Sequence, residues 1–552
     1  MKRIISNIKY TATALFAVVC MSSCEDFLST VPLNEIVLEN FWENEDEVTS
    51  VVASCYSGMT DNNFLTRIML WGEMRSDNMS KGLINANTPF VNDVQLPEML
   101  DGNILPNYYI ADWSSFYTVI NRCNTVLHYA PEVLERDPDF TESEWLAMEA
   151  EMLTLRALCY FYLVRSFRDI PMVLEPTIDD SKPFIMAAAH PDSVLNQIIK
   201  DLKKAEPNAV KKYPETSSSS LISYTKGRVT QQAVWALLAD VALWMENYDE
   251  CIAYCEKVIA AKVEDAKEER MNYDGEYPLL ANQKASSTSN IHQAYNLIFG
   301  TGNSFESIFE LQIDYTYDKK QDFLRSYYGA LDVDMGALSA SSFLAEGTQL
   351  GNKYFTKTDI RPYGLFDVKD VNVYSIRKYV ASSIDDQGEA LKRSGDYANW
   401  ILYRLTDVML MEAEALVERN DSMANDLRKA FDLTNAVYSR SNLSAPDKDS
   451  LAFSSYGTQN EMRDLVLLER QRELMFEGKR WFDLVRKARR EGTNGPMLDL
   501  AKRKYNKPEA VKSKWIKPDM LYLPIYEEEL KVNTLLKQNP EYKTTETIST
   551  AK

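Results

Sequence analysis

ALLADVALWMENYDECIAYCEKVI, residues 236–259, is the stretch on which the fold turns. Apolar residues recur at helical spacing on both sides of Glu246-Asn247, so two short helices meet at a tight turn. Ala239 and Cys251, both small, lie twelve apart, and Tyr248 opens the second helix. A tetratricopeptide hairpin needs this pattern: small residues where two helices cross closely and an aromatic to fill the turn. Cys251 and Cys255 then act as small apolar fillers. Residues 405–440 read as a second, less regular hairpin. The repeats are degenerate, so a uniform solenoid is not expected.

Outward from this pair the chain stays helical. Glycine numbers only 19 of 552 residues, roughly half the usual ~7%, which argues against a turn-rich sandwich or barrel. Helical periodicity with strong helix formers covers 143–167, 191–206, 227–247, 248–262, 399–419 and 458–490. Short connections predict antiparallel neighbours. Residues 212–225 and 282–290 read as polar loops, and long irregular, aromatic-bearing segments fill 64–112 and 295–398.

The N-terminus carries Lys2, Arg3 and Lys9, no charge from Tyr10 to Ser23, and then Glu25 and Asp26. This is the pattern of a secretory leader, 1–23, too short in its apolar run to span a bilayer. Met21-Ser22-Ser23-Cys24 resembles a lipobox, which makes Cys24 the lipidated first residue of the mature chain. Cys20 fits worse, because bulky Val19 would precede the cut. The formal net charge is −20, so neither nucleic acid nor anionic lipid is an expected partner. Membrane attachment must come from acyl chains, two or more of which hold stably.

Cys55, Cys123, Cys159, Cys251 and Cys255 form an odd, scattered set, a poor disulfide framework. His128, His190 and His292 lie far in sequence from Cys251 and Cys255, so a zinc site is not expected. The chain has no G-x-S-x-G elbow, P-loop or H-E-x-x-H, and GTGN (300–303) lacks the third glycine and preceding strand of a dinucleotide site. Glu473 and Glu477 stand one turn apart beside Arg470, Arg472 and Arg480. A glycosidase pair is conceivable there, but such spacing on a charged helix usually gives intrahelical ion pairs.

ERQRELMFEGKRWFDLVR (469–486) resembles the signature helix of the SusD/RagB family, outer-membrane lipoproteins of bacterial glycan uptake. In the family's order, 24–59, WSSFYTVINRCNTVL (113–127), 150–173, NSFESIFELQ (303–312), 403–416 and 521–542 are similar as well. Arg168 stands where glycine is common. The resemblance implies a mostly α fold of tetratricopeptide-like hairpins packed against an irregular, loop-rich ligand-binding half. It implies one domain over 24–552, with halves of about 24–240 and 300–552, where length alone suggests three or four. It implies a non-enzymatic, surface-exposed lipoprotein of the outer membrane; no cofactor is expected and no metal-ligating residue is assigned. Such a protein binds an oligosaccharide or other nutrient and caps a SusC-like TonB-dependent transporter. Arg472, Glu473, Glu477, Arg480 and Asp483 are then architectural and tie helices together.

Sugars offer flat apolar faces edged with hydroxyls, so their sites need aromatic platforms beside Asn, Asp or Arg. Two stretches have that mixture, 71–93 and 313–329, and in the family they correspond approximately to ligand-contacting loops. The candidate ligand-binding residues are Trp71, Arg75, Asp77, Asn78 and Phe90 from the first, with Tyr315, Tyr317, Tyr327 and Tyr328 from the second. Core filling and transporter contact are the rival roles, and aromatics around Tyr295 or Tyr354 are the alternative site. Two other functions share parts of this pattern: a helical-repeat scaffold holding a protein partner, and an anchored glycoside hydrolase. The hydrolase would need two carboxylates roughly 5–10 Å apart across a cleft.

Overall fold

A computed structural model describes residues 41–542 apart from 83–89, 91–92, 179–184, 214–224, 283–290, 314–322, 330–335, 349–350, 368–373, 394–397, 420–422 and 444–450. Eleven long helices organise it: α1 Glu45–Met59, α2 Asn62–Glu73, α3 Ser114–Arg136, α4 Glu142–Phe167, α5 Pro191–Ala205, α6 Gln231–Trp244, α7 Tyr248–Glu268, α8 Leu405–Arg419, α9 Met423–Ser441, α10 Gln459–Leu474 and α11 Arg480–Glu491. Local chemistry starts several of them. α1 opens on a capping box of Asn44 with Glu47, and α4 on one of Thr141 with Glu144. Each box satisfies backbone N–H groups that the first turn leaves without partners.

α1, α3, α4, α5, α6, α7, α8 and α9 pack in that order, each on the next, and α10 closes against α8 and α9. This is the array the hairpin at 236–259 foretells. At its centre Ala239 and Cys251 are fully buried, and Cys251 Sγ lies 4.0 Å from the carbonyl oxygen of Met411. The small thiol lets α7 lie close on α8, although residues 269–404 separate them in sequence. Cys251 and Cys255 are free thiols, as the filler reading requires.

The array buries charge as well as carbon. On α4, Arg156 grips Asp201 of α5 through two 2.9 Å bonds, and Arg165 meets Asp240 of α6 at 3.2 Å. A buried charge is tolerable only when it is paired and hydrogen-bonded, so these pairs fix which helices neighbour α4.

The irregular half is built on short antiparallel pairings. Strand β1 (Met79–Lys81) pairs with β3 (Leu338–Ala340), which pairs with β4 (Tyr374–Ser375). β2 (Ser307–Leu311) pairs with β7 (Trp400–Arg404), and β5 (Ala381–Ile384) with β6 (Ala390–Lys392). Two expectations are corrected here. Residues 400–404 are strand rather than the start of a helix, because WILYR is rich in aromatic and branched residues and β2 offers it a partner edge. The run 458–490 is two helices, broken at 475–479 where Phe476 and Gly478 take positive φ values of 69° and 72°.

Candidate functional site

The break after α10 is the hub of the molecule. β7 delivers Arg404 directly into it, since the strand runs on into α8. The Arg404 guanidinium donates to Glu473 at 2.7 Å and to Glu477 at 2.9 and 2.7 Å. Arg440 of α9 donates to Glu473, Arg361 reaches it at 3.3 Å, and Lys378 donates to Glu477 at 2.5 Å. Burial alone would raise both carboxyl pKa values. Arg440, Arg404 and Arg361 outweigh it and hold Glu473 well below the usual range, and Arg404 with Lys378 lowers Glu477. Burial pushes Lys378 down to about 8 against the pull of Glu477.

The expectation of intrahelical pairing is therefore corrected for Glu473 and Glu477, while Arg472 with Glu469 and Arg486 with Asp483 do pair within their helices. Glu473 ends one helix, Glu477 lies beyond it, and their cations come from elements 33 to 112 residues away. Two carboxylates locked as ions under arginines have no proton to give a leaving group, so this constellation clamps elements together.

The same hub absorbs most of the residues expected to bind ligand. Arg480 at the start of α11 holds Asp77 at 2.8 and 3.1 Å. Asn78 accepts from Gln471 at 2.9 Å and donates to Glu73 at 3.0 Å. Arg75 lies 4.3 Å from the centre of the Trp481 ring and donates to the Leu521 carbonyl oxygen at 2.9 Å. Trp71 donates its indole N–H to Ile110 at 2.8 Å, and Tyr328 its hydroxyl to Phe476 at 2.9 Å. All five side chains are buried, Trp71 only 1% exposed. Their expected exposure is thus corrected: α2 runs through Glu73 and packs on α11, placing WGEMRSDN beneath the signature helix rather than on a surface loop. Tyr315 and Tyr317 lie outside the described residues, as does Cys24.

The two stretches nevertheless meet. The pairing of Met79 with Ala340 and Lys81 with Leu338 ties the first stretch to β3, which lies beyond the second. Half-buried Phe90 packs on Tyr327 with ring centres 4.7 Å apart. Tyr327 in turn lies against Tyr109, whose half-buried ring sits 5.5 Å from the Arg67 guanidinium. Asp112 binds Arg67, and Asp93 caps the backbone N–H groups of Gln95 and Leu96. Tyr327 and Arg67 are buried, 5% and 4% exposed, so the expected exposure of Tyr327 is corrected as well. The half-buried members of this junction are Phe90, Tyr109 and Asp112. Sequence reading missed Arg67, Tyr109 and Asp93 as a set, because nothing local links 67, 93, 109 and 327.

The alternative aromatics are also committed to the fold. Tyr295 donates to the Arg377 carbonyl oxygen at 3.0 Å, and Tyr354 accepts from Arg503 at 2.9 Å. The cavity beside Tyr295, Arg361 and Glu473 has a volume of about 50 Å³, far below the roughly 300 Å³ a ligand pocket needs.

Comparison with known proteins fits this architecture from end to end. A sequence profile of the SusD family matches residues 367–542, and one described as "Starch-binding associating with outer membrane" matches 26–243. The chain belongs to the SusD family. It is 23% identical to the SusD-like protein P38 of Formosa agariphila over 97% of this chain and 99% of that one. A SusD-like protein of Bacteroides ovatus is 22% identical over 88% and 83%. Among solved structures, a SusD superfamily protein from Bacteroides vulgatus superposes with a TM-score of 0.66 at 20% identity, covering 91% of this chain and all of that one. A laminarin-binding SusD-like protein superposes at 0.61 with 21% identity and the same coverage. The mostly helical fold is thus that of the family, whose members bind carbohydrate and do not turn it over.

Proposed function

We propose that this SusD-family protein is a surface-exposed lipoprotein, anchored in the outer membrane through acyl chains on Cys24. It binds an oligosaccharide and delivers it to a SusC-like TonB-dependent transporter. One observation carries the binding half of this reading: the stretches 71–93 and 313–329 converge on the Phe90–Tyr327–Tyr109 junction, with Arg67 and Asp112 beside it. Aromatic faces edged by charged and amide groups suit a sugar ring. The hub supports the non-catalytic half, since its carboxylates are buried and ion-paired.

The test is a glycan-array or affinity-gel screen of the soluble 25–552 fragment, with laminarin and starch as first probes. Retention of a glycan without release of shorter products is expected; turnover, or no retention of any glycan, overturns the reading. In cells, Cys24→Ala should abolish acylation and membrane retention, and protease shaving of intact cells should release the wild-type protein. Pull-down of the intact lipoprotein from detergent extracts should bring a TonB-dependent barrel with it.

A further inference from the structure

Two lysine side chains outside the hub meet at one backbone oxygen. Lys262 of α7 and Lys226, just ahead of α6, both donate to the Ser307 carbonyl oxygen at the start of β2, at 2.9 and 2.8 Å. Lys262 also donates to the Phe305 carbonyl oxygen at 2.8 Å. Two nitrogens on one acceptor stand side by side, close enough to hydrogen-bond each other.

The carboxylates that face this pair are Asp265 and Glu269 on α7 and Glu310 on β2, and none forms an ion pair with either lysine. Asp265 accepts from Gln232 at 2.8 Å, and Glu310 from the Asn303 N–H at 3.0 Å and from Asn399 at 2.9 Å. Glu269 is exposed. Arg156, Arg404 and Arg440 show how the fold treats a buried cation that it keeps charged, since each meets a buried carboxylate. A buried charge without such a partner is costly, and two like charges in contact cost more. Burial pushes both amines below the ordinary lysine range, Lys262 the further because the Lys226 charge adds to it. Near neutral pH the pair therefore holds fewer protons than two ordinary lysines, and its protons belong to the pair rather than to either nitrogen.

The two members differ in access. Lys262 is fully buried, whereas Lys226 is half-buried and keeps part of its side chain at the surface. The backbone beside Lys226 is fixed: a Cβ on Gly227 would lie 2.3 Å from Cγ of Gln312, and Arg228 grips Glu151 at 3.0 and 2.5 Å. With the remaining proton on Lys262, Lys226 presents a lone pair beside a cation, the arrangement that activates a lysine toward carbonyl groups.

We infer that Lys226 is a covalent attachment site for aldehydes, its amine kept free by the neighbouring Lys262. The Lys226 nitrogen attacks the carbonyl carbon and the C=O π pair moves to oxygen. Both amine hydrogens then leave with that oxygen as water, and a C=N bond remains; no oxidant or reductant is consumed. The open-chain end of a reducing sugar is one such aldehyde. The inference rests on the lysine pair and not on the saccharide reading, so either can fail alone.

The test treats the full-length lipoprotein in detergent with glyceraldehyde and cyanoborohydride, whose hydride reduces the C=N bond to a stable amine. Peptide mass mapping then reads modification at every lysine. At pH 7 Lys226 should react at least about tenfold faster than exposed Lys200 and Lys507. Its rate should level off as pH rises to 9, where theirs still climbs roughly tenfold per pH unit. Lys262→Met should bring Lys226 onto the pH profile of Lys200, while Lys262→Arg, which keeps a neighbouring cation, should preserve its fast reaction. In the wild type, an unmodified Lys226, a rate no higher than those of Lys200 and Lys507, or a rise with pH parallel to theirs would overturn the proposal. So would a Lys226 rate that Lys262→Met leaves unchanged.

Discussion

Gly72 of α2 and Gly478 of the break after α10 touch backbone to backbone: a Cβ on Gly72 would lie 1.8 Å from the Gly478 carbonyl oxygen. Residues 406 apart in sequence thus share a contact that only glycine allows. Gly478 needs its own freedom as well, since it holds φ at 72°. Around this contact the Phe476 N–H donates to Glu73 at 3.0 Å, and Lys378 donates to the carbonyl oxygens of Glu473 and Met475 at 2.9 and 3.0 Å. The reversal is held from both halves of the chain.

Gly72→Ala should therefore act at a distance. The obstructing atom is backbone, which cannot swing aside, so the loss is expected at or above the roughly 1–3 kcal/mol usual for overpacking. Thermal melting checks this. A Tm within a degree of wild type would mean that α2 and the reversal are not in contact.

Glu477→Gln should destabilise by about 3 kcal/mol, because Arg404 and Lys378 stay buried after their counter-charge is gone. Both ion pairs are 2.5–2.7 Å long and almost wholly shielded from solvent. Melting curves give the loss, and reducing-sugar assays on the wild type should find no hydrolysis for this change to remove.

Acid should reach the hub through Asp407. Burial alone would raise its pKa, but Lys479 at 2.8 Å and Arg470 at 3.1 Å bring it to about 2, from an ordinary 3.8. The unfolded chain then binds more protons than the folded one between those values. Stability from this group is complete above about pH 4 and is lost as pH falls toward 2, by on the order of 2 kcal/mol. Chemical denaturation from pH 5 to 2 should show a steeper fall for wild type than for Asp407→Asn. Parallel slopes would remove Asp407 from the account.

Trp71→Ala and Phe90→Ala should separate core from site. Trp71 packs between Phe116 and Phe167 with ring centres 4.7 and 5.2 Å away, so its loss should cost roughly 3–5 kcal/mol of stability. Half-buried Phe90 should leave Tm nearly unchanged and weaken a bound glycan by roughly tenfold to a hundredfold, as for 1–3 kcal/mol of lost apolar contact. Tyr109→Ala should behave like Phe90→Ala. Calorimetric titration with the glycan found by array screening measures both, and unaltered affinity in both variants would place the saccharide elsewhere.

The helical hairpins were legible in the sequence because their determinants are local. Apolar spacing around Asn247 and small residues at 239 and 251 act within a few turns, although α6 starts at Gln231 rather than 227 and α7 runs on to Glu268 rather than 262. The family signature at 469–486 was legible for a different reason: a dense run of charges and aromatics is distinctive whatever it packs against. Tertiary structure alone decided what those charges do. Arg404, Arg440 and Lys378 reach Glu473 and Glu477 from other elements, and Asp77 finds Arg480 across 403 residues. Burial reversed the meaning of WGEMRSDN in the same way. A Trp, an Arg and an Asp read as a sugar platform when solvent is assumed, and as a clamp once a helix lies over them. Nothing in the local sequence states which side of the molecular surface a residue will occupy, because the dielectric around it is set by segments that approach only when the whole chain has folded.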